Sequence, residues 1–168
     1  MPAEGEADPA VLSAALQPLP FAGTSATATE RRIAVAVLDE LNAERDATGL
    51  APLVADDRLG ASAYQHNVTM AQANQLSHQL PGEASLGARI SSAGYRARAA
   101  AENAGWNSDM TTAGAIWAQK SMFAEGPGSE YAHGHYLNIV NPAMKNVGIS
   151  ITLDQTHGKL WLTVDFGG

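Results

Sequence analysis

The groups in this chain that could do chemistry are five histidines and seventeen aspartates and glutamates, and there is no cysteine. The lack of thiols removes disulfides, a thiolate nucleophile and Cys-rich zinc sites together. What remains is imidazole and carboxylate chemistry. Neutral imidazole nitrogens and carboxylate oxygens suit zinc and other divalent first-row metals, and two His with one Glu plus water make a workable open site. Without metal, a His/Glu pair can serve as general base and acid. The spacing matches no local metal motif, since no two histidines stand one helical turn apart. Ser77 beside His78, and Ser121, are nucleophile candidates in name only: neither lies in a Gly-x-Ser-x-Gly elbow.

The neighbours of each histidine sort them further. His66 recurs at helical spacing with Leu59, Ala63 and Met70, which reads as a hydrogen-bonded core histidine. His157 falls in a short polar stretch between two strand patterns and reads as solvated. His133 and His135 are two apart, so both point to one side if that segment is extended. Tyr131 and Tyr136 flank them and could stack on a sugar, pack on an acyl chain or fill space. Trp117 and Trp161 read as core or half-buried packing residues, and Trp106 as a candidate cleft wall.

Elements able to position these groups follow from periodicity. Thr27 and Glu30 fit a capping box, and Ile33, Val37, Leu38 and Leu41 continue at helical spacing until Gly49. A second helix is predicted from Asp57, a short third over Ser85 to Ala93, and a fourth between Asp109 and Gly126. The C-terminal part changes to period two. Val147, Ile149, Ile151 and Leu153 alternate with small or polar residues, as do Leu160, Leu162, Val164 and Phe166. With Gln155 to Gly158 between them, these runs predict a β-hairpin whose apolar face helices must cover. A further strand is predicted to include Glu102 to Trp106. Residues 1–26 hold four of the eight prolines, three acids and no base, and read as an N-terminal arm or linker before a domain over 27–168.

Composition excludes several partners. A 168-residue chain with 45% hydrophobic and 16% charged residues fits one globular domain. Its net charge of −7 with only ten Lys and Arg lacks the basic footprint that nucleic acid requires, and disfavours acidic lipid head groups. No apolar run approaches the ~20 residues of a membrane helix, so an integral membrane protein is not expected. The N-terminus shows no basic start followed by an apolar stretch, so a signal peptide is not expected in it. A cytoplasmic protein and a mature exported one both fit.

An ordered set of short pieces resembles the CAP superfamily of cysteine-rich secretory, antigen and pathogenesis-related proteins, in its disulfide-free bacterial branch. The pieces are Leu41-Asn42-Ala43-Glu44-Arg45, Gly49-Leu50-Ala51-Pro52-Leu53, His66-Asn67, Leu76-Ser77-His78, Ala101-Glu102-Asn103, Gly134-His135, Asn138-Ile139, Asn141-Pro142, Val147-Gly148-Ile149 and Asp165-Phe166-Gly167. Each piece alone is common; their order over residues 30–168 carries the resemblance. It implies an α+β fold, a three-layer α-β-α sandwich with a central antiparallel sheet. It also implies export, to the outside or the periplasm.

The resemblance further implies a cleft holding two His and two Glu. On the matching positions these are His78, Glu102 and His135, while the second Glu is replaced by Lys120. Glu125, one or two turns later, is a candidate to supply the missing carboxylate, and His133 is a second one. The implied metal set is thus His78, Glu102, His135 and Glu125, for zinc or another divalent ion. The alternative is that Glu102 chiefly hydrogen-bonds backbone amides and holds the cleft loops, with the histidines as partners. The function implied is a secreted binding module for a lipid, sterol or cell-wall glycan. A metal-assisted hydrolase acting on peptide or glycan, and a purely structural interaction module, stay open beside it.

Overall fold

The computed structural model describes residues 18–168. The helical turn expected around Val11 to Leu16 lies outside these residues. The order of elements is α1 (Ala28–Ala47), β1 (Val54–Ala55), α2 (Asp57–Ala73), α3 (Leu86–Ser92), β2 (Ala100–Asn107), α4 (Thr112–Phe123), α5 (Glu130–Ile139), β3 (Asn146–Asp154) and β4 (Lys159–Gly167). The first helix starts where its cap was read. Thr27 Oγ1 accepts from Glu30 N at 3.1 Å, and Thr27 N donates to Glu30 Oε2 at 2.8 Å. Glu30 also accepts from Leu153 N through Oε1, which ties the cap to the hairpin. Gly49 and Gly94 follow their helices at φ 76° and 90°, the left-handed backbone that glycine adopts without strain.

The sheet order is β1-β3-β4-β2. β3, β4 and β2 are antiparallel, and the two-residue β1 adds a parallel pairing to β3. Sequence patterning gave no sign of β1, because two residues carry no period. Alternation divides the sheet between two helical layers. Val147, Ile149 and Ile151 of β3, with Leu160, Leu162, Val164 and Phe166 of β4, join Ile33, Val37 and Leu41 of α1 and Met122 of α4 in the main core. The opposite face carries Gly148, Ser150, Trp161, Thr163 and Asp165, and α2 covers it through Asn67, which bonds Ser150 O, Trp161 O and Thr163 Oγ1. Phe21, within the stretch read as an arm, is buried in the main core and its N–H bonds Asp57 Oδ1.

Close approach of α2 to the sheet depends on Gly148. A Cβ there would lie 2.0 Å from the carbonyl carbon of Leu59 and 2.1 Å from Gly60 N. Those are backbone atoms that no rotamer change can move. Gly148→Ala is therefore expected to cost about 1–3 kcal/mol or more of stability. An unchanged denaturation midpoint would show that α2 does not press on the sheet at this point.

Candidate functional site: a cleft over the edge strand

β2 ends the sheet, so its outer edge is reached from both helical layers. His78, Glu102, Glu125 and His135 all line one cleft of about 220 Å³ there, with Asn138 and Tyr131. The loop after α2 brings His78, β2 brings Glu102, the turn after α4 brings Glu125, and α5 brings His135. Asn103 fixes the α5 side, donating to His135 O at 3.1 Å and accepting from Asn138 Nδ2 at 2.8 Å.

Glu102 is the electrostatic centre. Its side chain is 2% exposed, whereas that of His78 is 65% exposed. Glu102 Oε1 meets His78 Nδ1 at 2.9 Å, and Oε2 accepts from Arg89 Nη2. His66 Nε2 lies 3.6 Å from Oε1. Burial works to raise the Glu102 carboxyl, but the His78 hydrogen bond and the charges of His66 and Arg89 outweigh it and hold the group below the usual range. The same hydrogen bond to Glu102 raises His78 above the ordinary imidazole value.

Beneath the cleft, burial and then the charge of Glu102 push the Asp165 carboxyl well above its ordinary value. Neither Asp165 oxygen has a hydrogen-bond partner among the described residues, as suits a neutral buried acid better than a carboxylate.

On the other wall, His135 Nδ1 meets Glu125 Oε1 at 2.6 Å. Glu125 Oε2 accepts from the backbone N–H of His135 at 3.1 Å and of Tyr136 at 3.3 Å. His135 is 32% exposed at its side chain. Lys120 stands away from this pair and lies 3.6 Å from Glu40.

The condition under which His133 and His135 would point to one side, an extended segment, is not met. The residues form α5, which is irregular at His133 (φ −132°, ψ 22°). His133 Nδ1 bonds the carbonyls of Glu125 at 2.5 Å and Gly126 at 3.0 Å, so it braces the turn that carries Glu125 rather than the cleft. Its ring fills the space a side chain at Gly128 would need.

Other sequence candidates fall into place. His66 is fully buried, with Nδ1 on Glu83 Oε1 at 2.7 Å and Nε2 on Ser77 O at 2.8 Å. His157 is held by Asp154 in the hairpin turn rather than simply solvated. Ser77 donates to Gln79 O and Ser121 to Trp117 O. Trp161 is buried, but Trp117 is 64% exposed, which corrects its reading as a packing residue. Tyr136 packs on Phe123, while Tyr131 is fully exposed at the cleft.

Sequence reading missed Arg89, Glu83 and Asp165. Arg89 was legible in principle: it stands three residues after Leu86 and beside Ile90, on the inward stripe of α3, and a charge there demands a buried acid.

Among the described residues, no group of three or more His, Cys, Asp or Glu is arranged as a ready metal cage. The donor set is instead two imidazoles, each bound through Nδ1 to a carboxylate, with no hydrogen-bond partner at either Nε2 among the described residues. That arrangement fits a metal taken by Nε2 atoms with carboxylates behind them, the usual outer support of ligating histidines.

Sandwiches of this kind recur among solved structures. The chain is similar to an SCP-domain-containing extracellular protein of Bacillus anthracis, at 22% identity and TM-score 0.67, over 82% of this chain and 41% of that one. It is similar to an outer surface protein of Borrelia burgdorferi, at 16% identity and TM-score 0.65, over 81% of this chain and 92% of that one. It is also similar to NaASP2 solved with Zn²⁺, at 15% identity and TM-score 0.61, over 86% and 84%. These likenesses define the class: an α-β-α sandwich of the SCP type. The chain belongs to the Cysteine-rich secretory protein family, CAP, which matches residues 38–166. No curated protein sequence matches it.

Proposed function

We propose that this is a secreted CAP binding module whose cleft takes zinc or another divalent ion together with a small apolar ligand or glycan. The observation carrying the reading is the pair His78–Glu102 and His135–Glu125, each tied through Nδ1 and lining the same hollow. His78 and His135 would hold the ion, and Glu102 and Glu125 would orient them and strengthen their basicity. When bound, the ion supplies a positive charge and open positions for an oxygen-bearing ligand. The residues themselves shape the rest. Arg89 keeps Glu102 ionised, the α5 backbone fixes Glu125, and His133 braces the turn behind it. Export is supported by the extracellular and outer-surface relatives, and zinc by its presence with NaASP2.

Zinc titration of protein purified without chelator or affinity metal tests this. Wild type is expected to bind one ion, and His78→Ala with His135→Ala to abolish binding. Glu125→Gln is expected to weaken it by about 10–100-fold. Undiminished binding in the double variant would overturn the ligand assignment.

A further inference from the structure

Beside the cleft lies a second hollow, a trough of about 270 Å³, which shares Glu125 and His135 with it. Of the five large hydrophobic residues exposed among the described residues, Leu76, Trp106 and Trp117 all line this trough. Trp106 is 44% exposed and Trp117 64%. They project from β2 and α4, two regular elements, so their positions do not depend on loops. Trp106 is held further. Lys159 Nζ sits 4.4 Å from its ring centroid and donates to Asn74 Oδ1 at 2.7 Å. Met122 floors the trough, and Gly105 makes room, since a Cβ there would stand 2.9 Å from Met122 Cε.

We infer that this trough is the extended arm of the binding site and takes a neutral oligosaccharide, with sugar C–H faces stacked on Trp106 and Trp117. The inference rests on the reading of the adjoining cleft as a ligand site and names the class of that ligand. Two indoles kept in water on regular elements along one hollow offer stacking faces that no loop has to order. The hydrogen-bonding groups that line it suit hydroxyls: His135 at the shared wall and Ser121 at the rim. The net charge of −7 disfavours polyanionic glycans and anionic head groups. An acyl chain would gain most from an enclosed apolar tunnel, whereas this hollow is walled by half-exposed rings.

The test is titration of wild type with soluble β-1,4-linked glucose and N-acetylglucosamine hexamers, followed by tryptophan fluorescence and NMR. Saturable binding of either hexamer is expected at up to millimolar concentration. Trp117→Ala is expected to weaken it about tenfold while leaving the unfolding midpoint and zinc binding unchanged. Trp106→Ala provides a second arm. Absence of binding by both hexamers overturns the inference, and does so even if zinc binds as proposed. Conversely, glycan binding without zinc would sink the metal reading alone. Preferential capture of neutral phosphatidylcholine vesicles or of an unstructured peptide library by the two tryptophans would reassign the trough. A concentration-dependent dimer abolished by Trp117→Ala would assign it to a second copy of the chain instead.

Discussion

Truncating Arg89 to alanine is expected to destabilise the domain by about 3–5 kcal/mol, as loss of one partner from a buried ion pair generally does. Arg89 is buried and reaches four oxygens. Nη2 bonds Glu102 Oε2, and Nη1 bonds Ala84 O at 3.2 Å and His78 O at 3.4 Å, with Glu83 Oε1 at 3.7 Å. Alanine would leave two buried carboxylates, Glu83 and Glu102, short of their cation and two loop carbonyls unpaired. Arg89→Lys keeps the charge but not the planar fork, so it should restore only part of the loss. Arg89→Met with Glu102→Gln should also recover part, because the second change removes the stranded charge. Urea denaturation measures all three. A loss below ~1 kcal/mol for Arg89→Ala would mean the cleft floor is wet and screened.

Glu44→Gln, by contrast, is expected to stabilise the protein at alkaline pH. Burial pushes the Glu44 carboxyl up from 4.5 to about 7, against the Gln119 hydrogen bond; nearby Glu40 raises it further and Lys120 lowers it. Gln119 Nε2 donates to Glu44 Oε2 at 2.8 Å, while Glu44 Oε1 and Gln119 Oε1 both lack partners among the described residues. A folded pKa above the unfolded one means the favourable contribution is complete below about 4.5 and is lost as pH rises through about 7. The loss is at most about 3 kcal/mol. Glutamine cannot ionise and can present an N–H to Gln119 Oε1. Stability of the variant should therefore match wild type near pH 4 and exceed it by up to about 3 kcal/mol at pH 8. Parallel stability curves for the two proteins across that range would refute this account of the α1–α4 contact.

Regular elements were legible in the sequence because their signals are local. Thr27 with Glu30, Gly49, Gly94 and the alternation from Val147 to Phe166 each state a backbone conformation within a few residues. The cleft was legible only through an ordered resemblance, since His78, Glu102 and His135 are 24 and 33 residues apart and no spacing rule links them. Its supports were harder. Glu125 was a named candidate for the empty place left by Lys120, but its partner depends on how the turn after α4 folds back on α5. His133 was a candidate only if its segment were extended, and nothing within a few residues stated that the segment is helical. Trp117 misled: indole on a helix is usually core, and only the packed layers show that this one faces water.

Glu102, Ala104 and Trp106 alternate along β2 on one side of the sheet, with Asn103 on the other. Four steps of extended backbone put roughly 13 Å between the first and the last. The strand thus works as a ruler, graduated in peptide units, between the ionised end of the site and its aromatic end. Inserting one residue would turn Trp106 to the opposite side and erase the platform. Inserting two would keep the phase and lengthen the reach by roughly 7 Å, so a lineage could retune the size of what it grips by whole pleats without touching either end.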